Sequence, residues 1–174
     1  MALLPIRTYP DPVLRVRCRE IETFDDRLRK LAADMVETMY EAPGVGLAAS
    51  QVGVEERLCV VDPTAGEEEG TLQILVNPAI VADGEAGRES DVEGCLSIPG
   101  ITEKVARPYR IQVTAQDLDG RPVEFEAEGL HARVICHEVD HLNGVLFTDH
   151  LRGLRKERAK RLLKRLFPED PVLP

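Results

Sequence analysis

Apolar residues first fall into a helical rhythm over 25–41. Leu28, Leu31, Ala32, Met35, Val36, Met39 and Tyr40 lie at i, i+3, i+4, i+7, i+8, i+11 and i+12. That stripe predicts an amphipathic helix, and Pro43-Gly44 stops it. A second helix is predicted over 130–143, bracketed by Gly129 and by Gly144, the latter a cap at its C-terminal end. A third, over 152–167, has a weaker stripe of Leu151, Leu154, Leu162, Leu163 and Leu166. Between the first two helices the period changes. Residues 57–61, 73–81, 105–106, 110–116 and 123–127 are rich in Val and Ile or alternate apolar with charged, which predicts strands. Asp119-Gly120 is a hairpin signal, and Gly66-Glu67-Glu68-Glu69-Gly70 reads as a solvated turn. Short turns between successive strands imply antiparallel pairing. The fold class is therefore α+β, with antiparallel sheets wrapped around a central helix and a basic helix at the C-terminal end. A single domain over 1–174 is expected, with 168–174 a loose tail.

Composition sharpens this picture only through charge. With 43% hydrophobic and 30% charged residues, the chain reads as globular, and no apolar run is long enough to cross a bilayer. The net charge of −9 argues against a general nucleic-acid or anionic-membrane binder. The charge is uneven, however. Eight basic residues and one acid over 151–167 carry +7, which leaves −16 on the rest. The first residues, Met1-Ala2-Leu3-Leu4-Pro5-Ile6, lack the charged leader and long apolar run of a secretory signal. A cytoplasmic chain is expected, with Cys18, Cys59, Cys95 and Cys136 as thiols. No CxxC pair suggests a zinc ribbon.

The chemistry centres on the second helix. His137-Glu138-Val139-Asp140-His141 fits H-E-x-x-H. On a helix, i and i+4 share a face, so both imidazoles reach one metal ion while the glutamate stands beside it as a proton acceptor. Leu130 and Val134 continue the same face. Two histidines do not complete a catalytic site, which normally takes three protein ligands and leaves one position open. The metzincin third histidine is replaced here by Phe147. Cys95, in Glu93-Gly94-Cys95-Leu96-Ser97, is the best third ligand, and a Cys-His-His set suits zinc or ferrous iron. Cys136 is turned away on the helix and reads as packing. A third stretch, Gly44-Val45-Gly46-Leu47-Ala48-Ala49-Ser50-Gln51, fits either a tight edge strand or backbone laid against a ligand.

Taken in order, G-x-G-x-A-A-x-Q, E-G-C-L-S and H-E-x-D-H resemble the peptide deformylase family, over about 6–167. The resemblance implies a hydrolase that removes the N-formyl group from the N-terminal formylmethionine of nascent polypeptides. It implies one divalent metal, Fe2+ as the native ion, with Zn2+, Ni2+ or Co2+ able to substitute. Matched position by position, Cys95, His137 and His141 correspond to the metal ligands and Glu138 to the general acid/base. Gln51 and the Leu96 amide correspond to donors to the formyl oxygen, and Gly46 to a backbone contact with substrate. Val45, Leu130 and Val134 are candidates for the methionine pocket. Arg133 departs from the apolar residue many relatives have. Either its stem lines the pocket rim with its head in water, or the local helix face is rotated. Asp140 supports the metal ligands through a pair with Arg107 in one reading and forms a simple surface ion pair in the other. The rival readings are a zinc endopeptidase and a non-catalytic protein with a structural metal site. The basic helix is either a solvated face or a ribosome-docking element, since cationic side chains on RNA gain from counterion release.

Overall fold

The computed structural model describes residues 2–168, so most of the tail expected over 168–174 lies outside the described residues. Helix α1 spans Asp26–Glu41, capped by the Asp25 carboxylate, which accepts from the Leu28 N–H. Strands β1 (Gly46–Ala48), β2 (Leu58–Val61), β3 (Gln73–Ala82), β4 (Arg88–Glu93), β5 (Glu103–Pro108), β6 (Arg110–Gln116) and β7 (Pro122–Glu128) follow. Helix α2 spans Gly129–Leu142 and α3 spans Gly153–Leu166. Short 3-10 turns stand at Pro12–Arg15, Ala49–Val52 and Phe147–His150.

Five strands form one antiparallel sheet in the order β1-β2-β3-β6-β7, while β4 and β5 form a separate antiparallel pair. The run Leu58-Cys59-Val60-Val61 explains how the large sheet is sandwiched. Leu58 and Val60 enter the cluster under α1, whereas Cys59 and Val61 enter the cluster around α2. A strand covered on both faces needs apolar residues at every position. Helix α2 is correspondingly buried from Ala132 through Val139, which makes it the central helix of the fold. Gly144, at φ +73°, follows its C-terminal end, and a Cβ there would strike the Arg15 backbone. Only glycine fits.

Strand β4, Arg-Glu-Ser-Asp-Val-Glu, is absent from the strands the sequence predicts. Five of its six residues are exposed, so it carries no apolar alternation. Pairing along its whole length with β5 holds it extended, and the same pairing lengthens the predicted 105–106 into Glu103–Pro108. The glycine-rich stretch contains the tight edge strand β1, yet all three residues are buried.

A third apolar cluster joins Ile98 and Ile101, just beyond Cys95, to Leu14, Phe147, Ala159 and Leu163. Helix α3 therefore belongs to the packed body on one face. Its basic residues are all exposed.

Candidate metal centre

Three segments distant in sequence converge on one cleft of about 380 Å³. Helix α2 supplies His137 and His141 one turn apart, with ring centroids 4.9 Å apart. The loop after β4 supplies Cys95, whose Sγ lies 3.2 Å from His141 Nε2. The ligand atoms of Cys95, His137 and His141 all lie within 4.8 Å of one another. Phe147, which stands at the metzincin-ligand spacing, is buried and stacks on the His137 ring at 6.1 Å between centroids.

Orientation comes from the neighbours. Glu93, buried at the end of β4, lies 3.1 Å from His137 Nδ1, which leaves Nε2 to face the cleft. Arg107 grips the same carboxylate with two hydrogen bonds, of 2.8 and 3.0 Å, and reaches Asp140 at 2.6 Å. The Arg107–Asp140 pair is therefore real, and its arginine is buried. Gln51 is fixed at both ends of its amide. The Ala48 N–H donates to its Oε1, and its Nε2 donates to Ser97 Oγ at 3.1 Å and toward Cys95 Sγ at 3.6 Å. Glu93 and Ser97 stand two positions before and after Cys95. Their place in the same motif was the available signal, but the sequence reading gave neither a role.

The electrostatics favour a positive charge. Burial works against a charged His137. Hydrogen bonds with Cys95 and Glu93 and the field of Glu138 outweigh it and hold its pKa up to about 10. Burial and the neighbouring His137 push His141 well below the usual imidazole range. Glu93 is held down to about 2 because His137 and Arg107 overcome its burial. Burial raises Glu138 to about 7. A cation between the imidazoles and the sulfur would take the place that a proton on His137 otherwise fills. Glu138 Oε2 and His141 Nδ1 are buried without a hydrogen-bond partner among the described residues. The donor set of one sulfur and two imidazoles suits a borderline divalent metal.

Gly46 backs directly onto the Glu138 carboxylate. Val45, Gly46, Leu96, Leu130, Val134 and Glu138 all line the cleft. Leu130 is 53% exposed and stands at the rim, so the helix face is not buried along its whole length. Arg133 corrects an expectation. Its stem lines the cleft, but its head is buried rather than in water, on Glu93 at 2.8 Å. The carboxylate at the strand end is what draws it inward.

The sequence profile of the polypeptide deformylase family matches residues 3–157. A peptide deformylase of Alkalilimnicola ehrlichii is 51% identical over 99% of this chain and 95% of its own length. One from Brucella suis is 46% identical over 95% and 94%. Among solved structures, a peptide deformylase from Legionella pneumophila superposes with a TM-score of 0.85 at 43% identity, covering 98% of this chain and all of that one. A plant peptide deformylase superposes at 0.89 and 38% identity, covering 98% and 94%.

Proposed function

The chain belongs to the peptide deformylase family, metal-dependent hydrolases that release formate from the formylated N-terminus of nascent polypeptides, and we propose how its residues divide that work. Cys95, His137 and His141 hold one divalent ion, Fe2+ in the native enzyme, with Zn2+, Ni2+ or Co2+ able to replace it. When bound, such an ion supplies positive charge that acidifies water and polarises a carbonyl.

The rest falls to the chain. Glu138 Oε2, without a protein partner, takes a proton from the attacking water and returns it to the departing amine nitrogen. Its raised pKa suits both directions of transfer near neutral pH. Gln51 Nε2, on giving up its long contact with Cys95 Sγ, and the Leu96 N–H donate to the formyl oxygen as it gains charge. The Gln51 amide is set in advance, because the Ala48 N–H already claims its oxygen. Gly46 presents backbone to the substrate, and its missing side chain lets the Glu138 carboxylate lie directly against that backbone. Val45, Val134 and the rim residue Leu130 receive the methionine side chain.

The observation that carries this reading is the convergence of Cys95, His137, Glu138 and Gln51 on one open cleft, with His141 buried beside Cys95 and His137. A closed structural site would need no orphaned carboxylate beside its ligands. Glu138→Ala is expected to abolish hydrolysis of formyl-Met-Ala while metal analysis of the same preparation shows the ion retained. Normal turnover in that variant would defeat the assignment.

The proposal includes two placements. The exposed basic face of α3 docks on ribosomal RNA, which puts the cleft near emerging chains, and the enzyme works in the cytoplasm. Among the described residues no helix is long and apolar enough to cross a membrane.

A further inference from the structure

Glu93 is more tightly held than a single ion pair requires. Its Oε1 accepts from Arg107 Nε and Arg133 Nη1, both at 2.8 Å. Its Oε2 accepts from Arg107 Nη2 at 3.0 Å and lies 3.1 Å from His137 Nδ1. Four partners saturate a carboxylate. Arg133 also donates to the carbonyls of Val105 and Glu89, both at 2.8 Å, and to that of Asp91 at 3.5 Å. Its guanidinium thus bolts α2 to both strands of the β4–β5 pair, four residues before His137.

Charge gives the bolt a second purpose. Glu93 and Asp140 bring two negative charges to one cluster, and Arg107 touches both. Asp140 has a further partner in His150, at 2.7 Å, whereas Arg133 adds its guanidinium to Glu93 alone, so the contacts from Arg107, Arg133 and His137 together fix that carboxylate. A carboxylate that is free to turn would no longer define where His137 Nε2 points.

We propose that Arg133 is a positioning residue for the metal centre, acting on His137 through Glu93. The proposal rests on His137 being a metal ligand. Arg133 also walls the cleft with its stem, so the substrate pocket and the retention of the ion share one side chain.

Metal release tests it. The chain is loaded with Zn2+ and transfer of the ion to a colorimetric chelator is timed. Arg133→Met keeps the apolar stem and loses the fork, and it should release zinc about ten- to a hundredfold faster than wild type. Arg133→Lys keeps the charge but reaches one acceptor, and it should fall between. In a Glu93→Gln background, Arg133→Met should add less than about twofold, since both act on one path. A wild-type release rate in folded Arg133→Met, whatever its melting temperature, overturns the proposal. Independent, multiplying effects in the double variant overturn it equally. If Arg133→Met does not fold, Arg133→Lys carries the same comparison. Zinc held equally well by His137→Ala would instead remove the premise, and the proposal with it.

Discussion

Gly46 shows how much one absent methyl group controls. A Cβ there would overlap the Glu138 carboxylate and lie 2.9 Å from Val134 Cγ1. Since α2 is buried on both sides, the helix cannot retreat, and the carboxylate must. Gly46→Ala is therefore expected to cut kcat/KM on formyl-Met-Ala about a hundredfold, the scale of an ångström's misplacement, with metal content unchanged. Asp62 does comparable work for stability. It accepts from Tyr40, Thr64 and Thr71 hydroxyls and from the Thr64 and Gly66 amides, which ties α1 to the loop after β2. Burial would raise its pKa, but the Tyr40, Thr64 and Thr71 hydrogen bonds hold it down to about 2, against an ordinary 3.8. The folded chain thus binds that proton more weakly than the unfolded one. The stabilisation is complete above about pH 3.8 and is lost as pH falls through 2. Asp62→Asn should lose about 2 kcal/mol at pH 7. Denaturant titrations should show the gap to wild type closing between pH 4 and 2, and a gap independent of pH would refute the account.

At the scale of elements, α3 has two faces with separate duties. Ala159 and Leu163 sit in the same cluster as Ile98 and Ile101, and Cys95 packs against it. The opposite face carries the cationic side chains, one of which, Arg158, also reaches the buried Glu103 at 3.5 Å. Deleting the helix would therefore disturb packing behind Cys95 along with any docking. Point changes separate the two. Leu163→Ala should lower stability by about 2–5 kcal/mol in thermal melts and leave ribosome co-sedimentation intact. Reversing charge at Lys156, Arg161 and Arg165 should abolish co-sedimentation at low salt with little change in melting. Binding unaffected by that reversal would rule out the docking role.

Across the whole molecule, legibility followed locality. The α1 stripe, the α2 spacing of His137 and His141 and the hairpin at Asp119-Gly120 are written in neighbouring residues, and the elements lie within a residue or two of expectation. The contact between Cys95 and α2 was inferred from ligand chemistry and from resemblance, and the two do meet in space. What stayed hidden depends on partners far along the chain. β4 has no apolar rhythm because β5 and Arg133 hold it. The inward turn of Arg133 depends on a carboxylate 40 positions away. Neither has a local signature.

That distance has a consequence in time. Gln51 lies 44 positions before Cys95, and Cys95 lies 46 before His141. During synthesis the first half of the centre is exposed long before the second half exists. A chain stalled between residues 95 and 141 has a sulfur and an amide but no completed set of donors. The loops between them must also close before the atoms meet, at a cost that rises with their length. Capture of the ion is thus a late event coupled to tertiary folding, and a loaded chain is one made past residue 141 with its distant segments brought together.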